Sequence, residues 1–343
     1  MIIDQLWPEQ DIELISACPI CESKKSQKLY SGVKDWSFNC APGDWSYWQC
    51  GDCQSLYLNP RPTIDAIGRA YGSYYTHQVE SENKGVFGML RIKLRNECYF
   101  HWLGIDVQPR LNFESDFLFH IFRPFIPRRF PLDELHKNTR GELLDVGCGN
   151  GDLLSILKVM GFKVSGLEID HVAVATAQER GLAVRQGSFD LLCEYSNHFD
   201  YIVCSHVLEH VHEPRKMIQL LIDAVKPGGF VFITWPNPDS IALQLFGKYW
   251  RGLEAPRHLC LLSEHGFLES VRKQSAAEVV DVCFYGSGVH TVGESWKIRR
   301  GSIGIAMKIV NKLTLLLTSM LRMKHHHDFV TVSFKKSPMN SAE

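Results

Sequence analysis

No uninterrupted apolar run in this 343-residue chain reaches the roughly 18 to 20 residues that a membrane-spanning helix needs. Net charge is almost absent as well. With 37 Lys and Arg against 38 Asp and Glu, the formal charge is −1, which gives no global attraction to nucleic acid or anionic membrane. No internal repeat or low-complexity tract is visible, and only the tail SPMNSAE has the composition of a disordered segment. The first residues, MIIDQLWPEQDIEL, are acidic and lack the basic and apolar regions of a secretory leader. The expected location is therefore cytoplasmic, in a reducing compartment, where paired cysteines point to metal before disulfides. The length suits one catalytic domain plus an accessory module.

What is present begins with cysteine: eleven in all, four of them in two close pairs. Cys18 and Cys21 form CPIC, Cys50 and Cys53 form CGDC, and 28 residues separate the pairs. Each CxxC makes a knuckle whose turn aims two thiolates at one point. Two knuckles together give a closed tetrahedral four-sulfur shell, the arrangement of a structural Zn2+ site. The aromatic stretches between and beside them, YSGVKDWSFN and WSYWQC, read as the short hairpin strands of a zinc ribbon. A shell of four cysteines leaves no open coordination position, so this zinc is expected to stabilise rather than catalyse. Residues 1–60 carry eight acids and only four lysines, a net −4 that argues against the ribbon holding a phosphate backbone.

The strongest pattern is GELLDVGCGNGDLLSIL, residues 141–157. It predicts a short buried strand over 143–146, a turn through Gly147, Gly149 and Gly151, and a helix opening at Asp152. Glycines in such a turn accept positive φ and let the backbone approach a nucleoside ligand. Glu168 follows 21 residues after Gly147, at the end of the next strand in FKVSGLEID, where a carboxylate can take both hydroxyls of a ribose. The helix VAVATAQERG, a strand near 182–186, the strand and loop FDYIVCSHVLEHV, and KPGGFVFITWPN as a glycine turn into a fifth strand complete an α/β alternation with a parallel sheet.

At LLDVGCGNGDLL, GLEID, FDYIVCSHVLEHV and KPGGFVFITWPN, in that order and spacing, the chain resembles the class I S-adenosylmethionine-dependent methyltransferases. The resemblance covers about residues 139–285. GCGNG fits the turn of that family better than the GxGxxG of a dinucleotide dehydrogenase. The resemblance implies a Rossmann-like, seven-stranded α/β sheet whose last strand, assigned to 328–336, is antiparallel. It further implies that Asp145, Gly147, Cys148, Gly149 and Gly151 surround the methionine part of S-adenosylmethionine. Glu168 would bind the ribose, Ile169 would pack on the adenine, and Ser188 with Phe189 would contact its edge; family members often carry an acid where Ser188 stands. A four-cysteine ribbon, a segment like YGSYYTH, this core and a stretch like WRGLEAPRHLCLLS occur together in a subset often encoded with surface-polysaccharide or secondary-metabolite genes. Sugar C-methyltransferases of the TDP-deoxysugar type share that layout, which points to a small-molecule or glycan acceptor, nucleotide-sugar and lipid-linked ones included.

Transfer from a sulfonium is an in-line displacement, so catalysis is largely positioning, and a hydroxyl or carbon acceptor also needs a base. SHVLEHVHEPRK, residues 205–216, places His206 and His210 four apart, but HxxxH is weak evidence for metal. In context His206 ends a strand and His210 lies past a turn, so one helical face is not expected and the expected metal stays with the cysteines. His206 and His258 are the candidate bases, by their near-neutral pKa and their place in loops after strands. His210 and Glu209 read as hydrogen-bonding residues. Arg257 is a candidate for holding a carboxylate or phosphate. Trp250 belongs to the same expected wall, and Tyr74, Tyr75 and His77 form a candidate lid.

Residues 295–327 contain no acid and seven Lys or Arg, and 305–322 pattern as an amphipathic helix inserted before the last strand. Residues 86–102 and 117–130 share that apolar and basic character. Packing on the core or on a second copy is the plain expectation, and contact with a membrane surface or a lipid-linked acceptor the sharper one. The division expected is a zinc ribbon over 1–60, a helical linker or lid over 61–138, and a methyltransferase domain over 139–343 with an insertion at about 289–325. Two other functions fit the same motifs: an RNA methyltransferase using the ribbon as a clamp, and a cofactor-binding scaffold without turnover.

Overall fold

A computed structural model describes residues 7–72, 86–113, 131–135, 140–274, 277–285, 289–301 and 327–337. Its strands, in chain order, are β1 (Ile12–Glu13), β2 (Ser26–Val33), β3 (Trp45–Cys50), β4 (Leu56–Leu58), β5 (Arg61–Pro62), β6 (Glu142–Val146), β7 (Lys163–Glu168), β8 (Val184–Gln186), β9 (Phe199–Ser205), β10 (Val225–Pro236), β11 (Cys260–Leu261), β12 (Ala277–Tyr285) and β13 (Phe329–Lys336). The α-helices are α1 (Val86–Leu103), α2 (Leu132–Leu135), α3 (Asp152–Val159), α4 (His171–Glu179), α5 (Pro214–Ala224), α6 (Ile241–Phe246), α7 (Glu264–Arg272) and α8 (Val289–Arg300).

Seven strands form one mixed sheet in the order β12-β13-β10-β9-β6-β7-β8. The pairings β6–β7, β6–β9 and β7–β8 are parallel, and β13 runs antiparallel to β12. This is the Rossmann-like α/β sheet that the alternation of strand and helix patterns predicts. The glycines of KPGG lie inside β10 rather than before it, with Gly228 at φ +79°. The chain divides into two compact units, one made of 1–74, 205–222 and 233–343, the other of 75–204 and 223–232.

The second of these units is built around β6 to β9. ELLDV and FDYIVCS are almost wholly buried, as strands covered on both faces must be. Leu143, Tyr201, Val203 and Phe232 pack with Leu157 and Phe162 and with Tyr99 and Leu103 of α1. A smaller cluster joins Leu154, Val174, Ala177, Leu182 and Val184. Helix α4 starts at Asp170, whose carboxylate accepts from Val172 N at 2.9 Å and satisfies one of the amides a helix start leaves open.

In the first unit the ribbon strands make a four-stranded sheet in the order β11-β4-β3-β2. Its outer strand β11 comes from the PRHLCLLS stretch, with Cys260 opposite Tyr57 and Leu261 opposite Leu56. Trp45, Tyr47, Leu56 and Leu58 share one apolar cluster with Phe246, Trp250, Leu259 and Leu261. Helix α7 is capped by Ser263, whose hydroxyl accepts from Gly266 N at 2.9 Å.

Candidate active site

The glycine turn follows directly on β6. Gly147, Gly149 and Gly151 stand at φ +75°, +54° and +79°, in the left-handed region that side chains with a Cβ rarely adopt. At Gly151 a Cβ would also come within 2.3 Å of Leu182 Cδ1, so a larger residue there would require Leu182 to move. Gly147 N donates to Leu167 O at 2.7 Å, which ties the turn to the end of β7.

Glu168 ends β7 and is nearly buried. Its Oε2 accepts from Gly149 N at 2.8 Å, and its Oε1 accepts from Ile169 N at 2.8 Å and Asp170 N at 3.0 Å. The carboxylate is thus fixed across the glycine turn, and Oε2 keeps one lone pair beyond the one the backbone uses. Asp145 is fully enclosed. Burial, and then the charge of Glu168, pushes its carboxyl up to about 8. Burial likewise pushes the neighbouring Cys148 thiol up.

Beyond Glu168 the apolar side chain of Ile169 is 71% exposed and open to a ligand's flat face. Ser188 is less available: its hydroxyl donates to Asp190 Oδ2 at 2.8 Å and accepts from Asp190 N at 3.2 Å, capping a 3-10 turn that contains Phe189. A glycine turn, a fixed acid at the second strand end and an exposed apolar residue beside it fit the turn, ribose and base of a nucleoside cofactor. S-adenosylmethionine would be held by Asp145, Gly147, Cys148, Gly149, Gly151, Glu168 and Ile169.

The histidine loop lies in the other unit. β9 stops at Ser205, and His206 takes φ +58°, a left-handed turn that its non-glycine backbone accepts only under constraint. His206 N donates to Thr234 O at 2.9 Å, and its Nδ1 donates to Glu209 Oε1 at 3.1 Å. A 3-10 turn, Leu208–His210, then carries Glu209 inward. His206 and His210 do not share a helical face, as the strand-and-turn context predicts. Glu209 is fully buried; burial opposes its ionisation, but His206 and, further off, His210 and His258 hold its carboxyl below the usual range.

His258 is also buried, its Nδ1 donating to Gly252 O at 2.7 Å; burial first and then His210 push its imidazole down to about 4. The His210 and His258 rings lie 4.7 Å apart at 70°. Arg257 is wholly enclosed. Its guanidinium donates to Asp35 at 2.5 and 3.0 Å, to Glu254 Oε1 at 3.1 Å and to Ala70 O at 3.0 Å. The carboxylates this arginine binds are therefore the protein's own. Trp250 sits at 1% exposure in the apolar cluster of the ribbon sheet. Tyr74, Tyr75 and His77 lie outside the described residues, as do 117–130 and the predicted amphipathic helix over 305–322.

The four ribbon cysteines converge. Their sulfurs all lie within 4.8 Å of one another, Cys18 to Cys53 at 3.6 Å and Cys21 to Cys50 at 3.5 Å. A tetrahedral zinc with bonds of about 2.3 Å puts its sulfurs about 3.8 Å apart, so the donor set fits that ion. Both knuckles have the same shape: Glu22 N bonds back to Cys18 O and Gln54 N to Cys50 O, at 2.9 and 3.1 Å. Glu22 and Gln54 both sit at positive φ, +66° and +62°. What the sequence left unassigned is the approach of Glu209, His210 and His258, across 48 intervening positions; the glutamate wedged between two histidines was its one local sign.

Residues 116–274 match the family described as a methyltransferase domain. Over 150 residues the chain is 35% identical to the ubiquinone biosynthesis O-methyltransferase of Pseudomonas putida (strain W619), covering 41% of this chain and 62% of that protein. Over 127 residues it is 32% identical to the protein of the same name from Chromobacterium violaceum, covering 35% of this chain and 55% of that one. The chain thus spans somewhat over half the length of the curated relatives it matches. A solved methyltransferase from Archaeoglobus fulgidus aligns at 17% identity and a TM-score of 0.43, over 57% of this chain and 86% of that one, too remote to add to the strand order above. The parallel strands, the glycine turn and the match to a methyltransferase domain thus fall on the same residues.

Proposed function

We propose that this chain transfers the methyl group of S-adenosylmethionine to a hydroxyl of a small-molecule acceptor, with His206 as general base. The observation that carries the reading is Glu168 fixed across a turn with three glycines at positive φ. The parallel register sets Cys204 opposite Val146, and the glycine turn follows directly on that strand end, the end at which α/β sheets bind ligands. S-adenosylmethionine supplies the electrophilic methyl. Glu168 orients its ribose, Ile169 covers its base, and the turn admits its methionine part against the backbone.

His206 is the better placed of the two candidate bases. It is half-exposed, and its Nδ1–H is committed to the buried Glu209 carboxylate, which leaves Nε2 to accept the proton of the acceptor hydroxyl. The ring meets Phe329 edge-on at 4.7 Å, which limits its rotation. The relatives named as O-methyltransferases favour oxygen as the acceptor atom. The acidic ribbon disfavours RNA. The four cysteines hold one structural zinc in this reading. No described helix is long and apolar enough to cross a membrane.

Calorimetry with S-adenosylmethionine tests the core of the proposal. Binding is expected, and Glu168→Ala should weaken it at least about tenfold through loss of the hydrogen-bonded ribose contact. A wild-type chain that does not bind, or a Glu168→Ala chain that binds equally well, overturns it.

A further inference from the structure

Glu209, His210 and His258 bring three electron-pair donors together inside the first unit, and the hydrogen bonds around them fix which atoms are free. His210 Nδ1 lies 3.0 Å from Arg257 O, and His258 Nδ1 lies 2.7 Å from Gly252 O. A carbonyl oxygen can only accept, so each Nδ1 carries the proton and each neutral ring presents the lone pair of Nε2. Glu209 Oε1 accepts from His206, while its Oε2 is fully buried and has no hydrogen-bond partner. Buried carboxylate oxygens in native proteins are almost always satisfied, so an orphan on a carboxylate clustered with two imidazoles calls for a cation.

We propose that Glu209, His210 and His258 form a second metal site, a two-histidine, one-carboxylate shell for a divalent first-row transition ion, separate from the cysteine shell. One ligand atom from each residue lies within 4.8 Å of the others, so bonds of about 2.0–2.2 Å are reached by small side-chain shifts. Imidazole nitrogen with carboxylate oxygen suits Zn2+, Co2+ or Fe2+ better than Mg2+ or Ca2+.

The surrounding bonds are those of a supported site, in which each ligand histidine gives its other N–H to a carbonyl and the carboxylate is held by a further donor. Those carbonyls are themselves held. Arg257 is locked to Asp35 and Glu254, and Tyr47 Oη donates to His258 O at 2.7 Å. Three protein ligands leave coordination positions open, so the ion would take an oxygen of a small molecule or water, unlike the closed cysteine shell. The proposal does not depend on the identity of the methyl acceptor.

The test titrates Co2+ into the full chain with zinc already in its cysteine shell. One further equivalent should bind, with weak ligand-field absorption and none of the intense sulfur-to-cobalt charge transfer of a thiolate site. Glu209→Gln and His258→Gln should each weaken that binding at least about tenfold, while one zinc per chain and the circular dichroism of the wild type show that the fold is kept. In the wild-type chain, which needs no substitution, Co2+ should shift or broaden the imidazole resonances of His210 and His258. No second equivalent overturns the site. So does binding that both variants leave unchanged, or an NMR spectrum in which one of the two rings carries protons on both nitrogens and ignores Co2+.

Discussion

Asp145 holds a proton at neutral pH that an exposed aspartate would have lost. Its carboxyl rises from an ordinary 3.8 to about 8, by burial first and by the negative Glu168 second. The folded state therefore binds more protons here than the unfolded chain. Its penalty is absent below the ordinary carboxylate range, grows as pH rises through it, and is complete above about 8. Asp145→Asn should flatten that slope, making the variant the more stable of the two at pH 8 by on the order of a few kcal/mol, as read from urea midpoints at pH 5 and pH 8. Equal pH dependence in the two chains would show the carboxyl ionised throughout. A positively charged cofactor drawn to this carboxyl would lower its pKa and release a proton, an added sign in calorimetry run in buffers of different ionisation enthalpy.

At the scale of elements, the stretch from Trp250 to Ser263 does the work of a clamp within the first unit. Its β11 extends the ribbon sheet, and its Arg257 reaches back across 222 positions to Asp35. Burial opposes the ionisation of Asp35, but the Arg257 guanidinium and the amides of Cys40 and Phe38 hold the carboxyl below its ordinary range. That contribution is fully present above the ordinary carboxylate pKa and is lost as pH falls through the depressed one. Asp35→Asn should cost on the order of 3–5 kcal/mol at pH 7, because it leaves a buried guanidinium half-paired, and less at pH 3. Guanidinium melts at the two pH values measure both. The sequence placed PRH in a loop and offered Arg257 to a carboxylate or phosphate ligand and His258 as a base. What it could not show is that the arginine's partners lie inside the chain, since pairing across that separation leaves no local period.

For the whole molecule, the proposed zinc makes the four-cysteine sheet the part whose stability would depend on an ion. β2, β3 and β4 are short, and Cys18, Cys21, Cys50 and Cys53 join them where the two knuckles meet. Structural zinc contributes its binding free energy to folding. Cys50→Ser, or prolonged chelation, should therefore remove one zinc per chain by metal analysis and lower the melting temperature by about 10 °C or more. A chain that loses the metal and melts unchanged would assign the knuckles a role other than stability.

The parts legible in the sequence are those written in short-range spacing. Two CxxC pairs, three glycines after a buried strand and an acid 21 positions on each need only a turn or one strand–helix unit to acquire their geometry. Backbone sterics and hydrophobic periodicity decide such units locally, and the glycine turn with its acid and the clustered cysteines follow from them. The histidines were a different matter. HxxxH alone carried no weight, and the strand end at His206 rightly removed the helical face it suggested. Only the fold supplied the second imidazole, His258, and the buried oxygen of Glu209 that turns three separate residues into one cluster. Contacts across 48 and 222 positions arise from packing, which closes loops of any length for a slowly growing entropy cost and records none of them in neighbouring residues.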